Sequence, residues 1–185
     1  MKGKKEDKIS SDRLLQKSKI SLALGSYEDI FSDFDPRPEE YRSLSIDFLD
    51  EAKRAARDKV DGLELGLLVP SRLRDLRLES TIKHRLKTHF NRHFEIVKND
   101  INQMIRKGIY FMIAGIIGMS LGAYIAFKFS EPSLWSTFLL ILLEPGGWFF
   151  FWGGLDLIVF KHKDKDPELE FYRKISNAKI NFNGY

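Results

Sequence analysis

The chain has 185 residues, 43% hydrophobic and 30% charged, with a formal net charge of +4 and no cysteine. The missing thiols exclude disulfides, thiolate metal centres and cysteine nucleophiles, and so small a net charge argues against nucleic acid as the partner. The average hides a segregation, because charge lies before Gly108 and after Phe160 and almost none lies between, so the chain is built for two solvents.

Residues 1–37 read as a flexible, partly helical segment. The start, Met1-Lys2-Gly3-Lys4-Lys5, is basic, but polar residues follow where a secretory signal would place its apolar core. From Arg13 to Leu24 two periods compete: Arg13-Leu14-Leu15 opens like a helix, while Ile20, Leu22 and Leu24 alternate as in a strand. Ser26, three residues before Asp29, predicts a capping box and a short helix ending near Phe34. Asp35-Pro36-Arg37-Pro38 then reads as a rigid linker and a domain boundary.

Residues 38–107 are expected to form a small cytoplasmic α+β domain. Leu44, Phe48, Leu49, Ala52, Ala55 and Ala56 recur at helical spacing, with Ser43 or Ser45 as N-cap and Asp61-Gly62 as the stop. Leu63 to Val69 is short, apolar and bounded by Gly and Pro, as a half-buried strand is. Its expected partner is the alternating Lys179-Ile180-Asn181-Phe182, reached after a helix over 167–176 in the returning tail, 161–185. From Ser80, taken as N-cap, Ile82, Leu86, Phe90, His93, Val97, Ile101, Met104 and Gly108 mark a long helix over 80–107 with an eleven-residue repeat. No Pro or Gly interrupts it before the first span. It either packs on its own domain or forms a self-associating stalk.

Residues 108–160 carry two apolar stretches, about 108–128 and 134–160, each long enough for a hydrocarbon core that takes about 20 helical residues. The overall expectation is therefore a mainly α-helical membrane protein, a two-span helical hairpin with a small α+β domain and one or two short strands. Arg106 and Lys107 before the hairpin, and Lys161, Lys163 and Lys165 after it, outweigh the lone Lys128 of the joint, which predicts both termini in the cytoplasm.

Four features carry candidate chemistry. Ala114, Gly118, Gly122 and Ala126 stand four apart, a small-residue face for the second span or for another copy of the chain. Glu144, with Pro145, Gly146 and Gly147 at an expected kink and Asp156 further along, forms an intramembrane polar site. A carboxylate at that depth must be protonated, paired or turned to a polar cavity. It reads as a proton or cation site, as a polar ring at an oligomer axis, or as a structural acid bonded to Trp148, Trp152, Ser120 or Tyr124. Asp156, nearer the end of the span, is expected to pair with Lys161 or Arg106.

The last feature is a basic patch of Arg72, Arg74, Arg77, Lys83, Arg85, Lys87 and Arg92, suited to a cytoplasmic anion or an acidic protein, or else a solvated face. His89 and His93 share a helix face, but Phe90 stands where a zinc protease carries Glu, so no metal is expected. No nucleotide loop, nucleophile elbow or kinase set is present, and neither an enzyme nor a cofactor is expected. The functional expectation is a homo-oligomeric structural or regulatory membrane module. A small channel or proton-linked transporter using Glu144 is the alternative. A lipid-modifying enzyme fits least, since Glu144 and Asp156 lie ~18 Å apart along a helix.

Overall fold

The computed structural model describes residues 19–57, 59, 62–128 and 133–185. The joint at 129–132 and most of the segment before the linker, residues 1–18, lie outside them. The chain is mostly helical, with a small three-stranded sheet, and divides into two compact units.

Unit one comprises the residues up to Glu95 and those from Leu169 to Tyr185. Its strands are β1 (Lys19–Ala23), β2 (Glu64–Val69) and β3 (Lys179–Gly184), in the order β1-β2-β3. Both pairings are parallel, with Leu65 between Ile20 and Ile180 and Leu67 between Leu22 and Phe182. The alternation at Ile20, Leu22 and Leu24 thus reports a strand, and the sheet has three strands where one or two were expected. Parallel neighbours require crossovers, so the unit has an α/β build rather than segregated strands and helices. A short 3-10 turn (Tyr27–Ile30) and α1 (Ile46–Ala56) connect β1 to β2. Everything from α2 (Leu76–Lys128) through α3 (Leu134–Val159) to α4 (Asp166–Ser176) connects β2 to β3.

The strand period decides which residues meet. Ile20, Leu65, Leu67, Val69 and Phe182 are buried with Phe48, Ala52 and Ala56 of α1, Ile82, Leu86 and Phe90 of α2, and Phe171, Tyr172 and Ile175 of α4. Residues of the opposite parity give cross-strand rows such as Lys19, Glu64 and Lys179, in which an acid stands between two cations.

Caps explain where the elements begin. Ser26 and Asp29 close their box, with the Glu28 N–H donating to Ser26 Oγ at 3.2 Å and the Ser26 N–H to Asp29 Oδ2 at 3.2 Å. The turn stops at Ile30 instead of continuing to Phe34, because Phe31 is extended and bridges antiparallel to Leu44. Asp35 is a loop staple rather than part of a bare linker. It takes the Arg37 guanidinium at 2.7 Å and the Ser43 N–H at 2.7 Å, and these two donors hold its carboxyl well below the usual carboxylate range. The long helix starts at Leu76 rather than after Ser80, because Asp75 Oδ1 accepts the N–H groups of Arg77 (2.8 Å) and Leu78 (3.2 Å).

Unit two runs from Ile96 to Glu168 and holds the rest of α2, α3 and a 3-10 turn at Lys161–Lys165. α3 is continuous through Pro145 and shows none of the expected break at 144–147. A proline removes one N–H, so only the carbonyl four residues earlier, that of Ile141, loses its helical donor. Ser133 caps this helix, donating its N–H to Ser136 Oγ at 3.0 Å. Lys161 pairs with Asp156 at 3.1 Å and Lys165 with Asp100 at 2.6 Å.

α2 and α3 each contain a stretch long and apolar enough to cross a membrane, and only 11% of each such stretch is buried. Where they touch, glycines let the backbones meet. A Cβ on Gly115 would lie 2.5 Å from the Phe151 nitrogen, and one on Gly147 2.6 Å from Met119 Cγ. Gly108 and Gly154 make the same kind of contact, Gly154 against the Gly108 carbonyl. The close contacts therefore repeat every seven residues, at Gly108 and Gly115 against Gly147 and Gly154.

Candidate functional site

Unit one has a polar cleft of about 630 Å³ lined by Glu40, Tyr41, Ser80, Thr81, His84, Arg85 and Thr88. Its floor is one face of α2, since positions four apart share a face, and its wall is the loop carrying Glu40 and Tyr41. Arg85 ties the two together by donating Nε and Nη2 to the Arg42 carbonyl at 3.2 and 3.1 Å. Arg42 in turn donates Nε to the Ser32 carbonyl at 3.1 Å and pairs with Glu28. Three aliphatic hydroxyls, a phenol, an imidazole and a guanidinium thus face a single acid, a donor-rich lining suited to a small polar anion.

The predicted basic residues have different surroundings. Lys83 and Lys87, four positions apart, share a face of α2, and Arg85 stands off it. Lys83 lies over the Phe182 ring at 5.7 Å, Arg85 borders the cleft, and Arg74 is held by Glu79. Arg72, Arg77, Lys87 and Arg92 are exposed.

Beyond the carboxyl ends of the strands lies a buried network that sequence spacing could not show, because its members are up to 52 positions apart. Glu79 accepts from Arg74 Nε at 2.8 Å, from Arg74 Nη2 at 3.0 Å and from the Tyr27 hydroxyl at 3.0 Å. The Tyr27 oxygen accepts the Asp75 N–H at 3.0 Å. The Arg74 guanidinium holds the Glu79 carboxyl below its ordinary range, and burial pushes the Tyr27 phenol up. Every member is satisfied, which makes the network structural.

The His89 and His93 rings are in contact, centroids 4.2 Å apart and tilted by 30°, and His93 stacks on Tyr172 at 5.3 Å. Lys53 lies 5.8 Å from the same Tyr172 ring. His89 Nε2 is buried without a partner among the described residues. Burial, with the nearby His93 and the arginines Arg85 and Arg92, pushes the His89 imidazole down to about 4.

In unit two Glu144, Trp148, Trp152 and Asp156 form a row four residues apart on α3. With Pro145, Phe149 and Gly153 they line an open trough of about 770 Å³ on the surface of the helix. Trp148 and Trp152 are stacked, 5.9 Å between centroids. Glu144 is exposed, and no described residue bonds to it or pairs with it. The expected bonds to Trp148, Trp152, Ser120 or Tyr124 are not made. Asp156 takes Lys161, one of its two expected partners.

Of the small-residue row, Gly118 and Gly122 approach α3, with added Cβ atoms 3.5 Å from Gly147 Cα and 3.6 Å from Leu143 Cβ. Ala114 and Ala126 are exposed, since a four-residue step drifts ~40° round the helix per repeat whereas a seven-residue step drifts ~20°, but Ala126 still borders a cleft of about 300 Å³ with Leu140, Glu144 and Trp148 of α3. Gly146 has nothing within 4 Å of an added Cβ. Searches of family models, of curated proteins and of solved structures found no match to this chain.

Proposed function

We propose that the protein is a two-pass membrane protein, a homo-oligomeric structural or regulatory module whose folded α/β unit receives a small anion or an acidic protein face in the cytoplasm. The observation that carries this reading is the apolar exterior of α2 and α3: Ile113, Ile117, Phe138, Ile141 and Phe149 are among many large side chains left exposed there. Water does not tolerate an apolar surface of that extent, and a bilayer does.

The sheet supports the topology. β2 precedes the hairpin, β3 follows it, and the two are hydrogen-bonded neighbours, so both flanks stand on one side of any membrane the hairpin crosses. The cations of those flanks favour the cytoplasmic side. Resistance to alkaline extraction tests insertion. Thiol labelling in intact cells tests sidedness, since the chain has no native cysteine. Ser133→Cys is expected to label from outside and Asn177→Cys only after permeabilisation; labelling of Asn177→Cys from outside sinks the topology.

A conducting role for Glu144 draws on its position within an apolar helix. Glu144 borders both the outer trough and a cleft of about 300 Å³ shared with Met119, Gly122, Ala123 and Ala126 of α2, and a path past it would follow that cleft or run between copies.

A further inference from the structure

The row Glu144, Trp148, Trp152 and Asp156 combines an acceptor and indole donors that have no hydrogen-bond partner among the described residues, and it winds ~120° round α3, from the edge of a cleft that Glu144 and Trp148 share with Met119 and Ala123 of α2 to the outer surface of the helix. Glu144 is ten residues from Leu134 and sixteen from Phe160, so it sits ~15 Å and ~24 Å from the two ends of the helix. At that depth no lipid headgroup reaches it and no water competes. Pro145 compounds the deficit by leaving the Ile141 carbonyl without its helical donor. Pairing, as against protonation, requires N–H groups brought to the middle of the apolar span.

We propose that a second copy of this chain covers this row. The proposal rests on the membrane reading above. Copies inserted with one orientation form a closed dimer about an axis along the bilayer normal, which places each α3 beside its own counterpart at equal depth. At equal depth, the residue one turn along the partner helix from Glu144 is the partner's Trp148. The indole Nε1–H of each Trp148 donates to the Glu144 carboxyl of the other copy, so the bond is made twice. The stacked Trp148 and Trp152 rings supply the apolar area around it. Residues four apart form an i±4 ridge, and two such ridges interlock at a crossing near −50°, which confines the contact to the turns around Trp148. Asp156, held by Lys161 of its own chain, stays outside the contact. The partner is thus identified by its own surface: acceptor and donor belong to the same face, as a self-complementary interface requires.

The test uses the full chain in phosphatidylcholine vesicles, labelled with donor or acceptor dye at Asn177→Cys, with energy transfer followed as lipid is added. Wild type is expected to show transfer that falls on dilution. Trp148→Phe keeps the ring but loses the donor, and is expected to shift the midpoint roughly tenfold toward dissociation. Glu144→Leu is expected to shift it as far, and Glu144→Gln, which keeps an acceptor oxygen, much less. Phe127→Leu, on α2, is the neutral control. Disulfide trapping gives an independent readout: Phe149→Cys beside the row is expected to cross-link, and Leu139→Cys on another face is not. Equal midpoints for wild type and Trp148→Phe, or cross-linking at Leu139→Cys alone, would overturn the interface. Chains that resist alkaline extraction yet show no transfer sink the interface and leave the membrane reading standing, whereas chains removed by alkali sink both.

Discussion

Glu79 grips both arms of Arg74, with Oε1 2.8 Å from Nε and Oε2 3.0 Å from Nη2, and only 4% of the glutamate side chain is exposed. The pair joins the first turn of α2 to the strand ends, since Arg74 also donates to the Phe182 carbonyl at 3.4 Å. Arg74→Met is expected to destabilise unit one, because the carboxylate left behind is buried and keeps only the Tyr27 hydroxyl as hydrogen-bond donor. The Glu79 carboxyl is depressed in the folded state, so the unfolded chain binds the proton more readily. Its contribution is fully present above the ordinary glutamate value of 4.5 and is lost as pH falls below it. Thermal unfolding followed by circular dichroism checks both; a midpoint unmoved by Arg74→Met sets the network aside as an energetic element.

His89 predicts a second, separate pH window. Its imidazole is held neutral down to about 4, against an ordinary value of 6.5. The unfolded chain therefore takes up a proton first as pH falls, and stability declines between those two values. His89→Phe removes the titrating group while keeping an aromatic ring beside His93. The expected result is a flatter unfolding midpoint between pH 6.5 and 4 than in wild type, and parallel curves would show that His89 is not the cause.

The glycines of the hairpin make opposite predictions. Gly115→Leu drives a side chain into the Phe151 backbone, where the added Cβ alone would sit 2.5 Å from nitrogen. It is expected to separate α2 from α3. Gly146 has open space, and Gly146→Ala gains helix propensity of up to about 1 kcal/mol. Tryptophan fluorescence during unfolding in detergent distinguishes them, because Trp135, Trp148 and Trp152, all on α3, are the only tryptophans in the chain.

The conducting role has its own test in proton and cation flux through proteoliposomes. If Glu144 lines a path, Glu144→Gln abolishes flux at unchanged oligomer mass, since the amide keeps an acceptor but cannot titrate. Wild-type vesicles that leak no faster than empty ones eliminate conduction and leave the regulatory module.

Local signals were readable where one residue decides the outcome. Ser26 with Asp29, the apolar runs of α2 and α3, the short apolar run from Leu63 to Val69 and the alternation around Phe182 all announce themselves within a few positions. Two misreadings have a common cause. Ser80 looks like an N-cap, but Asp75 reaches the free N–H groups first, and Pro145 looks like a break, but it costs the helix only the one bond to the Ile141 carbonyl. What could not be read depends on distance along the chain. Tyr27 meets Glu79 and Gly108 meets Gly154 only after folding, and the direction in which β1 joins β2 is set by a crossover rather than by either strand.

The place of β3 in the sheet also sets a schedule for synthesis. β2 is made before α2 and α3, and its neighbour β3 only after them, so the central strand waits with one edge open until the apolar hairpin has left the ribosome. The hairpin must therefore find its solvent before unit one can close. A chain whose hairpin stalls keeps an open strand edge and Leu65, Leu67 and Val69 uncovered, a surface that quality control can recognise.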